Sequence, residues 1–287
     1  MLVISALLAA LALPQVDTTF PVERSQRLEV SVHVGDVAVR AWDRSAVRVR
    51  AELGVRSRLA VDRTPAAVRV RTSGDRGEPV KYDITVPSWM AVNLQGVNTG
   101  MAVTGVAAAI RVETVNGDIA VQGGTGLVYL NTVEGAVRLE RSSGRIDVKS
   151  VNADVTVREV EGEVRAQTVN GDVMLTAVRS ESVEASTVNG NMVYDGTIRA
   201  GGRYSLVTHN GDVTITIPAG TDARVSVSTF QGDFESDFPV TLTERRGKRF
   251  DLMLGKGTAA VDLESFQGTI RLSRSGAARP RDAADDR

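Results

Sequence analysis

Five aspartates recur at one place in a repeated phrase: Asp118, Asp154, Asp172, Asp212 and Asp233 each follow the small residue that closes a copy of T-V-N-G. Carboxylates stacked at strand spacing suit Ca²⁺, a hard cation that takes roughly six to eight oxygen ligands. The row is broken, because Ala136 and Asn191 hold two of its places. Asp154 and Asp172 are then strict neighbours, with Asp212 and Asp233 as a second pair. The Ca²⁺-binding pattern G-G-x-G-x-D is approached only at Gly123, where Val128 replaces the required aspartate. The other reading of these residues is a set of solvated turn aspartates that favour a bend through local hydrogen bonds. No metal site is therefore assigned.

Two histidines, His33 and His209, are the side chains suited to acid–base work near neutral pH. Neither lies near a G-x-S-x-G nucleophile context. His209 falls in a column expected to face inward, between Val188 and Phe230, which favours a packed or rim histidine over a catalytic one. Glu159 and Glu161 form an acid pair best read as charged outer surface. The basic turn ERRGKR at 244–249 reads as a solvated loop, with anion binding as the alternative. No phosphate-cradling loop or zinc spacing occurs, so no cofactor and no catalytic residue is assigned.

Composition narrows the classes further. With 287 residues and 42% hydrophobic content the chain can bury a substantial core. A net charge of −1 provides no field for nucleic acid, and no nucleic-acid partner is expected. Phe 6, Tyr 4 and Trp 2 leave few flat faces for stacking sugars or bases. Cysteine is absent, which removes disulfides, thiolate metal sites and a lipid-bearing cysteine. The apolar run from Leu2 to Leu13, followed by Pro14 and containing A-x-A at Ala10 and Ala12, resembles a secretory signal. No Lys or Arg precedes it, and a buried first strand is the other reading. Residues 1–20 are expected to be signal peptide and leader, the protein exported to the periplasm, cell surface or medium, and the mature chain without a transmembrane segment.

The elements that position these residues repeat. Copies of the phrase begin at 114, 132, 150, 168, 187, 208, 229 and 265, so the early spacing is 18 residues and the later ones 19 and 21. Gly117, Gly126, Gly135 and Gly144 fall nine apart, which divides each unit into halves. Within a half, apolar residues alternate with polar ones, as in Val137 and Leu139 around Arg138, and that period of two predicts a strand. Halves this short hold no crossover helix, and the phase never reverses. The expected fold is all-β: a β-solenoid, or β-helix, with about two short strands per coil of 18–21 residues, each pairing in parallel with its equivalent one coil away.

Stacking turns the phrase into ladders. Val115, Val133, Val151, Val169 and Val188 are expected to form an inward column, continued by His209, Phe230 and Phe266. On that placement Val169→Asp would bury an unpaired charge. Asn98, Asn116, Asn152, Asn170, Asn189 and Asn210 are expected to form an amide column, with Glu134, Gln231 and Gln267 as variants. Asn-Gly suits a tight bend, although Thr99 and Ala153 hold two glycine places. Residues 21–95 are expected to be a β-rich N-terminal cap of the same domain, 96–274 the repeats, and 275–287 a disordered tail.

With VNGDI, VNGDV and HNGDV joined by YDITVP shortly before the first repeat, the chain resembles the bacterial adhesin-type family built from β-strand repeats, also called toastrack domains. The resemblance covers residues 28 to 274. It implies a β-solenoid outside the cytoplasmic membrane with a binding or scaffold role, and relatives that accompany cell-envelope stress systems. It carries over no catalytic residue. The expected function is a non-enzymatic, exported protein that presents a long side wall to an envelope component or partner protein. Two alternatives stay open: a sensory module of an envelope-stress pathway, and a polysaccharide lyase or hydrolase on a β-helix.

Overall fold

The computed structural model describes residues 15–74, 77–239, 241–246 and 249–275. The apolar run of the leader, the tail from 276, and Gly247 and Lys248 of the basic turn lie outside the described residues. Among the described residues every element is a β-strand.

The alternation builds the coil. Val128 pairs in parallel with Ile110 on one side and Ile146 on the other, and Val137 likewise with Ile119 and Val155. Both partners lie 18 residues away, so a strand's neighbours are its own equivalents in adjacent coils. One sheet runs through Ile110–Glu113, Thr125–Asn131, Ser143–Lys149 and Glu161–Gln167, and a second through Ile119–Gly123, Val137–Glu140 and Val155–Arg158. Every second side chain points between the sheets. Val112, Leu130 and Val148 from the first and Ile119, Val137 and Val155 from the second are buried. Each such side chain is worth about 1.5–3 kcal/mol, so the core between the sheets dominates stability.

The ends depart from simple succession. Strand Arg27–Trp42 forms the first coil, with Leu28 beside Val92 and Val37 beside Met101. Ala67–Gly74 and Val80–Pro87 lie on its outer side, and the antiparallel strands Ser57–Arg63, Ala46–Glu52 and Gln15–Pro21 complete that end. Bare parallel edges would template pairing with other chains; here the edge strand Ser57–Arg63 exposes Arg58, Asp62 and Arg63. Asp17 pins Gln15–Pro21 against Arg48 at 2.5 Å, and that guanidinium, with Arg50, holds its carboxyl down at about 2.

At the other end the order expected from sequence is corrected. Ala259–Gln267 seats between Met192–Asn210 and Ala223–Gln231, so the last repeat in the chain is the second-last in space. The intervening stretch supplies the terminal coil and the antiparallel strands Thr241–Arg246 and Arg249–Leu254 that cover it. Both ends thus close by inserting one coil between a neighbour and a later-paired strand.

The inward placement of the valine column is also corrected. Val115, Val133, Val169 and Val188 are 43, 37, 39 and 42% exposed, and Val151 is half-buried. The buried column is the residue before: Thr114, Thr132, Ser150, Thr168, Thr187, Thr208, Thr229 and Ser265. Period two explains it, since Ile110, Val112 and Thr114 share the inner face and Val115 falls on the outer one. Carbonyls of the adjacent bend satisfy these buried hydroxyls, except that of Thr229 in the terminal coil, which has no partner among the described residues. Thr168 Oγ1 donates to Ala153 O at 2.8 Å, Thr187 Oγ1 to Gly171 O at 2.9 Å and Ser265 Oγ to Gly211 O at 2.8 Å.

Candidate functional site

The phrase T-V-N-G-D turns the chain from the first sheet into the second, and its residues stack along one long edge of the solenoid. Successive bends lie backbone on backbone. A Cβ on Gly135 would sit 2.2 Å from Gly117 O, and one on Gly171 2.5 Å from Ala153 O. Close approach therefore selects the glycine column. Ala153 breaks it, and Asn152 lacks the bridges that join Asn98 to Asn116, Asn116 to Glu134 and Asn170 to Asn189.

The amide column forms hydrogen bonds along the edge. Asn116 Nδ2 donates to Asn98 Oδ1 at 2.8 Å, and Asn170, Asn189 and Asn210 donate in turn to Asn152, Asn170 and Asn189 at 2.9, 2.8 and 2.8 Å. Glu134 stands between the two runs, and Gln267 donates to Gln231 at 3.3 Å. In Asn170→Asp the donor is lost and a carboxylate faces Asn152 Oδ1. Urea denaturation is expected to show a loss of about 1–2 kcal/mol, against about 0.5–1 for Asn170→Ala. Equal losses would mean that the amide direction carries no energy.

The aspartates act as clips on the backbone. Asp118 Oδ1 accepts Ala136 N–H at 2.8 Å, Asp154 accepts Asp172 N–H at 2.8 Å, and Asp172 accepts Asn191 N–H at 2.7 Å. Asp212 accepts Thr269 N–H at 2.7 Å. The expected pairing of Asp212 with Asp233 is therefore corrected, because the inserted coil puts Thr269 between them. Among the described residues no group of three or more His, Cys, Asp or Glu converges as a metal site.

His209 does not pack inward. It is exposed and stacks on Phe266, with ring centroids 4.7 Å apart and planes 9° apart, and Phe266 stacks on Phe230 at 4.8 Å and 5°. The spatial order is thus Val188, His209, Phe266, Phe230. His33 belongs to the same column at its other end, beside Val97, because Val32 pairs with Gly96 and Val34 with Asn98. The valines, the rings and both histidines make one exposed ridge ten coils long, ~43 Å at the spacing of paired strands.

The ridge edge has an uneven charge. Its ten tetrapeptides begin at 33, 97, 115, 133, 151, 169, 188, 209, 230 and 266, and none contains Lys or Arg. They contain Asp36, Asp118, Glu134, Asp154, Asp172, Asp212 and Asp233, none of which makes an ion pair among the described residues.

The opposite bend is concave and carries arginines. A groove of about 570 Å³ runs from Gly105 and Ala107 past Gly124, Ser142 and Ser143 to Glu159, Glu161 and Arg179. Arg141, Glu159 and Ala177 line it with φ of 54, 54 and 53°, in the place that Gly105 and Gly123 hold in earlier coils. Glu161 pairs with Arg179 at 3.2 Å, so the Glu159–Glu161 pair divides between the groove lining and a surface ion pair. Counting 18 residues on from Gly105 and Gly123 reaches all three left-handed positions, a signal that sequence reading passed over.

The sequence model of a family described as Toastrack DUF4097 matches residues 25–273. A search of curated proteins finds no match. Similar solved structures include a "putative adhesin" from Parabacteroides distasonis, at 11% identity over 90% of this chain and 97% of that one, with a TM-score of 0.48. A second from Bacteroides fragilis, described in the same words, is 12% identical over 90% of this chain and 96% of that one, with a TM-score of 0.42.

Proposed function

We propose, from the premise that this chain belongs to the Toastrack DUF4097 family, that it is a non-enzymatic binding or scaffold protein of the cell envelope working through its exposed ridge. The observation that supports this reading is the ridge itself. Val115, Val133, Val169 and Val188 stand 37 to 43% exposed in one column with the half-buried Val151, and His209 joins that valine run to Phe266 and Phe230 at 37 and 55%. Scattered apolar residues on a surface need no explanation, whereas a contiguous apolar strip bounded by polar ladders marks an interaction surface. The apolar leader read from the sequence supports export, and no helix among the described residues is long and apolar enough to cross a membrane.

Binding through the ridge predicts a separation of stability from function. The variant Val133→Lys/Val169→Lys changes only outward positions, so its melting temperature is expected to stay within about 2 °C of the parent. Its co-sedimentation with isolated envelope fragments is expected to fall at least about tenfold. Equal co-sedimentation of parent and variant would remove the ridge from the function.

A further inference from the structure

We infer that the occupant of the ridge is a second copy of this chain, seated by its grooved edge, so that copies join side by side with coil axes aligned. The inference rests on the reading of the ridge as a binding edge and names its partner.

Pitch is the first argument. Ridge and groove belong to one stack, so both repeat once per coil, at ~4.8 Å. Five consecutive ridge residues, Val97 to Val169, span the same number of coils as the groove from Gly105 to Arg179. A partner of unrelated fold would meet one or two steps of such a surface, whereas a copy meets each step in register. Shape agrees, since Ala107, Gly124, Ser142 and Ser143 are small where the valines would enter.

Charge selects ridge-to-groove over ridge-to-ridge. Two ridge edges face to face would oppose carboxylates that have no cation among them, and like charges placed opposite one another are destabilising. The groove edge balances its charge instead: Arg179 is held by Glu161 of its own chain at 3.2 Å, and Arg141 stands one coil before Glu159. Arg141 makes no ion pair among the described residues. It also holds a left-handed position, φ 54°, where glycine is unstrained. Without a partner of its own, that guanidinium suits a carboxylate from outside the chain, such as Glu134 or Asp154 of a neighbour.

The two edges lie on opposite sides of the coil, so the contact is heterologous and does not close on two copies. It propagates into a lateral array.

The test is sedimentation velocity of the purified chain from about 1 to about 500 µM, with three variants that match the parent in melting temperature. A ridge-blocked variant, Val133→Lys/Val169→Lys, and a groove-blocked variant, Arg141→Glu/Ala107→Trp, are each expected to stay monomeric while the parent forms species larger than dimers. Mixed together, they are expected to form a one-to-one dimer and nothing larger, because one keeps an intact groove and the other an intact ridge. Val115→Lys, at a ridge position 43% exposed within the same five coils, serves as a second ridge variant if the double substitution disturbs folding. A mixture that stays monomeric would overturn the ridge-to-groove geometry. A parent that stays monomeric while ridge variants still lose envelope co-sedimentation would overturn the self-association and leave the binding function standing.

Discussion

Gly162→Ala is expected to lower the free energy of unfolding by about 3–5 kcal/mol, one of the largest losses available from adding a single carbon. Two penalties coincide. Gly162 has φ of 112°, and a Cβ there would lie 2.1 Å from the carbonyl oxygen of Gly144. That oxygen belongs to a backbone held on both sides, since Gly144 pairs with Gly126 below and Gly162 above in register. It has no side-chain torsion through which to yield. Gly126 heads the same column with φ of 81° and nothing within 4 Å of its would-be Cβ, so Gly126→Ala meets backbone strain alone and is expected to cost about 1 kcal/mol. Urea midpoints of the two variants measure the difference directly. Equal losses would show that the stacked carbonyl is not the obstacle.

The same stacking explains which parts of the fold were legible in the sequence. Equivalent residues 18 apart pair because the alternation of Ile119, Val121, Val137 and Leu139 leaves a strand no better neighbour than its own repeat. The amide column follows from the register alone. Parity was harder. A valine is equally suited to either face of a sheet, and the phrase opens on Thr114, a residue whose burial depends on a hydrogen bond to Val97 O or Thr99 O that no local pattern announces. Counting by twos from Ile110 and Val112 would have placed Thr114 inside and Val115 outside.

The position of the last coil was not legible, for a different reason. Copies beginning at Thr229 and Ser265 have nearly the same sequence, TFQG and SFQG, so either can stack on THNG. The choice lies with the antiparallel strands Thr241–Arg246 and Arg249–Leu254, which must cover an outer edge and therefore push the later copy inward. His209 then meets Phe266 and not Phe230, and Asp212 meets Thr269 and not Asp233. The groove escaped notice because its left-handed positions carry Arg141, Glu159 and Ala177, residues that do not advertise positive φ.

Parity sets up the second large effect. Leu139→Asp is expected to cost about 4 kcal/mol or more and to leave the repeats unfolded or nearly so, whereas Val169→Asp is expected to cost less than about 1 kcal/mol. Leu139 is fully buried between Val121 and Val157, with no polar partner for a carboxylate, while Val169 stands 39% exposed. The pH dependence separates the two as well. Burial raises the folded-state pKa of an aspartate at 139 above its unfolded value near 4. The unfolded state then binds fewer protons than the folded one between those values, so the Leu139→Asp variant gains stability as pH falls through the folded pKa and levels off below about 4. Val169→Asp, open to solvent, follows the parent over that range. Denaturant unfolding between about pH 4 and pH 8 reads both behaviours. A Val169→Asp variant as unstable as Leu139→Asp would return the valine column to the interior, and with it would go the ridge on which binding and lateral assembly both depend.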